Sequence, residues 1–183
     1  MTTLDNGIVI DESITAKNYT RDADVLKTFG FPSKKKGVTI HHWGNDGQKF
    51  DDVVRYLASK NARQSSAHFV VQEGRVTCIV SPDDASWHAG NAEGSAQTIG
   101  IECRPEMTEG DLDALASLIR YLETIYGSLL VYTHNNWKAT ACPGRYLGRI
   151  DEIIAEVNNV NMAPAAPVKP SPGVPADKCC CHD

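Results

Sequence analysis

Two stretches that lie far apart in the sequence carry side chains that bind transition metals. His41 follows the apolar run 38–40, and His134 follows the run 131–133. Cys142 comes eight positions after His134, a spacing that is a weak signal when taken alone. Imidazole and thiolate are preferred zinc ligands, and three protein ligands leave a fourth coordination position open, as in hydrolytic zinc sites. The residue types therefore indicate a metallohydrolase.

The residues after Cys142 bear on how its sulfur is held. Pro143 and Gly144 predict a turn that fixes the side chain. We expect the N-terminus of the following helix to help keep the thiol ionised, because the helix dipole favours negative charge there.

Composition limits the classes of function. The 183 residues, 42% of them hydrophobic, suffice for one well-packed domain. A formal net charge of -5 argues against a nucleic-acid partner, and we expect the basic run 34–36 to be a solvated loop. No apolar run is long enough to span a bilayer, and the N-terminus lacks the features of a signal peptide. We therefore expect a cytosolic protein without a membrane partner.

The six cysteines fall into two groups: Cys78, Cys103 and Cys142 in the globular part, and residues 179–181 in the tail. Cys78 and Cys103 lie in apolar, strand-like runs and are expected to be small core residues. Residues 179–181 are three consecutive cysteines in the tail, where a disordered end is a simpler interpretation than a metal site. We predict no disulfide bonds, because a cytosolic chain keeps its thiols reduced.

Hydrophobic periodicity predicts the elements that must position these side chains. Strands are predicted over 7–10, 37–43, 67–72, 75–80, 98–103 and 131–134. Helices are predicted within 15–28, over 50–57, over 112–125 after a capping box at Thr108 and Asp111, and over 146–157. Strands and helices alternate loosely around one hairpin, which predicts a single α/β domain with a central mixed sheet flanked by helices. We place an N-terminal extension at 1–36, the domain at 37–159, and a Pro/Ala-rich, disordered linker and tail at 160–183.

Five short motifs in this order carry a family resemblance. They are Ile40-His41-His42-Trp43-Gly44, Ser66-Ala67-His68-Phe69-Val70, Trp87-His88-Ala89-Gly90-Asn91, Ile99-Gly100-Ile101-Glu102 and Thr140-Ala141-Cys142-Pro143-Gly144. Residues 37–157 thereby resemble the zinc-dependent N-acetylmuramoyl-L-alanine amidases of the type-2 amidase family, which includes phage endolysins and peptidoglycan recognition proteins. The tryptophan after the paired histidines is most similar to endolysins of phages that infect actinobacteria.

The resemblance implies a site. It assigns His41, His134 and Cys142 as zinc ligands, and alternation along the strand would turn His42 to the opposite face. Glu102 stands where many family members carry a catalytic glutamate, and a carboxylate at the end of a buried strand can act as general base. A surface salt bridge is the alternative role for Glu102.

The chain departs from some family members at two positions near the site. Ala67 replaces a tyrosine, and Thr140 replaces a lysine, although threonine is also a family variant. Thr140 is therefore kept as a catalytic candidate, and Lys138 as a substrate-binding candidate that could instead face solvent.

Three further aromatic side chains lie in the motifs near the predicted site. His88 could pack in the interior or line the substrate cleft, and we keep it with Trp43 as a candidate substrate-binding residue. His68 is expected to be structural.

The implied function is hydrolysis of the amide between N-acetylmuramic acid and the L-alanine of the stem peptide. The partner would be bacterial peptidoglycan, and the protein is expected to be a monomer, held in the host cytoplasm before release. Two alternatives remain open: a cysteine hydrolase with Cys142 as nucleophile, and a non-catalytic peptidoglycan-binding module.

Overall fold

The structure is a computed structural model that describes residues 2–159. Its strands are β1 (Ile10–Asp11), β2 (Tyr19–Thr20), β3 (Gly37–His42), β4 (Phe69–Gln72), β5 (Arg75–Cys78), β6 (Ala85–Ser86), β7 (Thr98–Cys103) and β8 (Leu130–Thr133). Its helices are α1 (Asp22–Phe29), α2 (Phe50–Ala58), α3 (Ala92–Gln97), α4 (Glu109–Tyr126) and α5 (Ile150–Asn159), with 3-10 turns at His134–Asn136 and Gly144–Arg149. The predictions made for 160–183 lie outside the described residues.

Six strands form one sheet in the order β1-β5-β4-β7-β3-β8, and β2 pairs with β6 separately. β4 and β5 are antiparallel around the predicted hairpin, whereas β4, β7, β3 and β8 run parallel. The predicted single α/β domain with a mixed central sheet is confirmed.

Alternating side chains bury both faces of the sheet. Phe69 and Val71 belong to the larger core that α4 and α5 cover, whereas Val70 belongs to the core that α2 covers. The capping box predicted for α4 is present, since Thr108 and Asp111 each accept a backbone N–H of the other. Among residues 2–159, no helix is both long and apolar enough to cross a membrane.

The N-terminal segment is part of the domain and does not stand apart as an extension. Leu4 and Ile10 are buried in the larger core, and β1 extends the sheet beside β5. Asp5 forms an ion pair with Arg120 of α4. The predicted strand 7–10 is shifted to Ile10–Asp11, and the helix predicted within 15–28 is α1, which ends at Gly30 in the left-handed conformation.

Two other predictions are wrong in detail. The final helix begins as a 3-10 turn over Gly144–Arg149, where two glycines disfavour an α-helix, and becomes α-helical only at Ile150. The run 34–36 is not wholly solvated, because Lys35 is buried and its Nζ donates to the carbonyls of Asp84 at 2.7 Å and Ala96 at 3.0 Å.

Candidate metal centre and active site

The site forms where three neighbouring parallel strands end. In β3 and β7 His41 lies opposite Glu102, so both side chains leave the same face of the sheet. β8 pairs with the other edge of β3, with Thr133 opposite Ile40, and His134 follows immediately. The carboxyl ends of parallel strands are where open α/β sheets usually place their ligands.

The three predicted ligand residues converge at this edge. One ligand atom from each of His41, His134 and Cys142 lies within 4.8 Å of the other two. Nδ1 of His41 is 3.7 Å from Sγ of Cys142. The neighbouring His42 takes no part in this trio, although its backbone N–H donates to the same sulfur at 3.4 Å.

The loop after β8 brings Cys142 back toward β3. Nε1 of Trp137 donates to Oγ1 of Thr39 at 2.9 Å, which ties the loop to the strand. Thr140 accepts the backbone N–H of Cys142 through its Oγ1 at 3.2 Å, and the Cys142-Pro143 peptide is cis. These contacts fix the direction of the thiol.

The imidazoles of the trio are neutral. Burial lowers the pKa of His41 well below its ordinary value, and the neighbouring histidines lower it further. Burial also lowers the pKa of His134, with a smaller contribution from the charge of Lys138. Both rings can therefore offer a lone pair to a metal near neutral pH.

The expectation of an ionised Cys142 is wrong for the protein without a cation. Burial, followed by the charge of Glu102, raises the pKa of the thiol to about 12, and the single N–H from His42 offsets this only in part. The expected α-helical N-terminus is not next to Cys142, since the chain forms a 3-10 turn over Gly144–Arg149 and becomes α-helical only at Ile150. A metal ion is the missing charge that would favour the thiolate.

The residues present fit a borderline-soft divalent ion. Two neutral imidazoles and a thiol form a donor set that zinc prefers. Nε2 of His134 is buried and has no hydrogen-bond partner within residues 2–159. Buried polar atoms without partners are rare and call for an explanation, and a bound metal next to this ring provides one.

Glu102 lies beside the trio in a state suited to proton transfer. Burial raises the pKa of its carboxyl to about 7. Its Oε2 is buried and has no partner among the described residues, so it is not held in the alternative surface salt bridge. A carboxyl near this pKa can both accept and release a proton at neutral pH.

His88 and His68 lie behind the trio. His88 is 8% exposed, and its two ring nitrogens contact Nε2 of His41 at 3.0 Å and the carbonyl of Thr98 at 3.3 Å. His88 therefore borders the cleft without a free nitrogen for substrate. His68 is fully buried and bonds the backbone of Gly100 and Asp84, which is a structural role.

The trio opens into a cavity of about 760 Å³. Lys138 and Thr140 line this cavity and are exposed at its rim, and the roles predicted for them stay predictions. Trp43 does not line this cavity. It is 8% exposed, packs edge-on against Phe50 with 5.9 Å between ring centroids, and lines a second cavity of about 520 Å³ that also includes Glu102. A role of Trp43 in substrate binding stays a prediction.

Sequence reasoning missed part of the cavity lining. Phe29 from α1 and Trp87 contribute aromatic walls, and Arg63, Gln64 and Asn91 contribute polar groups. Asn91 caps α3 by accepting the N–H of Gly94, which is the one local signal that could have revealed that helix. Nothing local marks residues 63 and 64 as cavity residues.

The sequence matches a known protein family and a curated relative. Residues 32–145 match the N-acetylmuramoyl-L-alanine amidase family, Amidase_2. N-acetylmuramoyl-L-alanine amidase CwlA of Bacillus subtilis (strain 168) is 27% identical over 128 residues, which are 63% of this chain. The chain spans 46% of the length of that curated relative.

Solved structures share the fold. The PlyG catalytic domain has a TM-score of 0.67 at 23% identity, covering 88% of this chain and 100% of the other. A mutant endolysin from Bacillus subtilis has a TM-score of 0.67 at 23% identity, covering 82% of this chain and 99% of the other. Staphylococcus aureus hydrolase AmiA, in complex with its ligand, has a TM-score of 0.65 at 18% identity, covering 88% of this chain and 87% of the other.

The family match and the site agree in position. The matched residues 32–145 make up more than half of the chain and contain His41, Glu102, His134 and Cys142. The chain belongs to the Amidase_2 family of N-acetylmuramoyl-L-alanine amidases.

Proposed function

We propose that this protein is a zinc-dependent peptidoglycan hydrolase that cleaves the amide between N-acetylmuramic acid and the L-alanine of the stem peptide. The observation that carries the proposal is the convergence of His41, His134 and Cys142 beside a partnerless, buried carboxylate oxygen of Glu102. The name of the matched family and of the relative CwlA supports the bond assignment.

In this proposal the chain's own residues have separate tasks. His41, His134 and Cys142 hold the zinc ion, which when bound supplies a Lewis acid that polarises the scissile carbonyl and acidifies water. Glu102 takes a proton from the attacking water and passes it to the amino group of the leaving L-alanine. Thr140 and Lys138, on the cavity rim, are the candidate donors to the developing oxyanion.

A cysteine hydrolase with Cys142 as nucleophile fits the site less well. A nucleophilic cysteine needs a lowered pKa and a base that gains the proton. Here burial and Glu102 raise the pKa of the thiol to about 12, and burial lowers the pKa of its neighbour His41. A binding module without activity would have no use for a buried carboxyl beside the trio.

The proposal extends to the biological setting of the protein. Solved structures of this fold from Bacillus subtilis and Clostridium intestinale URNW carry the name endolysin in their titles, which supports a phage endolysin. We further propose that the protein is made in the host cytoplasm and acts on the wall as a monomer. Trp43 after the paired histidines supports an actinobacterial host.

Product analysis on purified cell walls tests the proposed reaction. We expect new L-alanine amino termini and no new reducing sugar ends. Iodoacetamide on the zinc-loaded protein and a search for an acyl-enzyme by mass spectrometry test the cysteine alternative. A trapped acyl-enzyme on Cys142, or release of reducing ends, would overturn the proposal.

A further inference from the structure

His88 is a buried residue that contacts a candidate metal ligand from behind. Its Nδ1 is 3.0 Å from Nε2 of His41, and its Nε2 is 3.3 Å from the backbone carbonyl of Thr98. The same His41 ring turns its other nitrogen, Nδ1, toward Sγ of Cys142 at 3.7 Å. The two histidines therefore form a chain of contacts from β7 to the metal trio.

The chemistry of these contacts fixes where the protons are. A backbone carbonyl can only accept, so Nε2 of His88 must carry the hydrogen that goes to Thr98. A neutral imidazole has one donor nitrogen, and Nδ1 of His88 is therefore an acceptor. The donor in the 3.0 Å contact must then be Nε2 of His41, which leaves a lone pair on Nδ1 of His41.

We propose that His88 is a positioning residue that holds His41 in the one tautomer able to bind the metal through Nδ1. The proposal rests on the metal site of the proposed function, but not on the reaction assigned to it. Hydrogen bonds of this kind to the second nitrogen of a metal-binding histidine orient the ring and strengthen binding.

The His88 ring packs directly against Gly100 of β7, in space that a side chain at this position would occupy. A Cβ at this position would lie 2.5 Å from Cγ and 2.7 Å from Cδ2 of His88, which is closer than atoms can pack. The ring of His68 stands edge-on to His88 with 5.8 Å between centroids, and its Nδ1 accepts the N–H of Gly100 at 2.8 Å. The His88 ring thus sits in a slot with little freedom to turn.

Paired substitutions at His88 separate this role from simple packing. His88→Leu fills the slot without an acceptor, whereas His88→Asn restores an acceptor oxygen near the position of Nδ1. Zinc affinity is measured by competition with a chromophoric chelator, and thermal stability is measured in parallel. We expect His88→Leu to weaken zinc binding by about 10- to 100-fold and His88→Asn to recover much of the loss.

Nitrogen-15 NMR of the metal-free protein reads the tautomer directly. We expect His41 of the parent to be protonated at Nε2 and the His88→Leu variant to show a mixture of both tautomers. A parent His41 protonated at Nδ1, or a His88→Leu variant that binds zinc as tightly as the parent, would overturn the proposal. A packing role alone would lower thermal stability without changing the tautomer.

A second pair of variants leaves His88 itself in place. Gly100→Ala should push the ring from its slot and weaken zinc binding, as His88→Leu does. Gly148→Ala is the matched control, since an added Cβ there meets no atom within 4 Å. Equal zinc affinity in the folded Gly100→Ala and Gly148→Ala proteins would contradict the role of Gly100 in positioning the His88 ring. None of these readouts uses wall cleavage, so a wrong reaction assignment would leave their outcome unchanged.

Discussion

Glu102 should make the metal-free protein less stable as the pH rises. Burial raises the pKa of its carboxyl from 4.5 to about 7 in the folded chain. The folded state therefore holds this proton more tightly than the unfolded chain does. The resulting stabilisation is complete below pH 4.5 and is lost as the pH rises through 7. A pKa difference of this size between the folded and unfolded states corresponds to about 3 kcal/mol.

Glu102→Gln removes this loss, because the amide resembles the protonated acid and cannot ionise. In the presence of chelator we expect the variant to exceed the parent by about 3 kcal/mol in free energy of unfolding at pH 8 and to equal it near pH 4. Urea denaturation at a series of pH values measures the difference. The same variant should bind zinc and lose roughly a hundredfold or more in wall cleavage.

Glu156→Gln, which changes an exposed carboxylate on α5, is the control and should show no such pH-dependent gain. Two results would refute the raised pKa of the buried Glu102 carboxyl. One is a Glu102→Gln protein whose free energy of unfolding at pH 8 is no higher than that of the parent, and the other is an increase that persists unchanged to pH 4.

Other predictions concern parts of the chain away from the reacting atoms. Lys35→Met should cost about 1–3 kcal/mol in urea denaturation, because the carbonyls of Ala96 and Asp84 lose the donated bonds of Lys35 and only that of Asp84 keeps its bond with His68, while exposed Lys34→Met stays within about 0.5 kcal/mol. Equal effects would contradict the burial of Lys35. Leu4→Ala should cost about 2–3 kcal/mol, since Leu4 is in the main core, and a neutral result would mean that the N-terminal segment does not pack. A chain that ends at Asn159 should keep its melting temperature and activity on soluble muropeptides, since the rest is Pro/Ala-rich; a drop of more than a few degrees would contradict this.

Hydrophobic periodicity and capping residues were sufficient to predict the helices and strands that have strong local patterns. β3 and β7 are apolar runs, and α4 combines a capping box with a long apolar stripe, so each could be placed within a few residues. By contrast α3 has six residues, including a glycine, and presents no apolar stripe from which a helix could be predicted. The 3-10 turn at Gly144–Arg149 shares the apolar spacing of a helix start, so spacing alone could not separate the two.

Long-range contacts explain what the sequence did not reveal about the site. The register that sets His41 opposite Glu102 depends on two strands 61 positions apart in the chain, and no local pattern encodes it. Lys35 looks like its solvated neighbours until the carbonyls of Asp84 and Ala96 are brought beside it. His88 could not be assigned from its motif, because its role depends on contacts with β3 and β7.

Amide cleavage should require zinc bound by His41, His134 and Cys142. The most direct measurement titrates zinc into the metal-free protein and follows the release of L-alanine amino termini from purified walls. We predict that cleavage rises with zinc content and saturates at about one ion per chain, and that His41→Ala abolishes both binding and cleavage while His42→Ala binds the ion. Full cleavage by protein that contains no metal, or loss of zinc in His42→Ala but not in His41→Ala, would contradict the account.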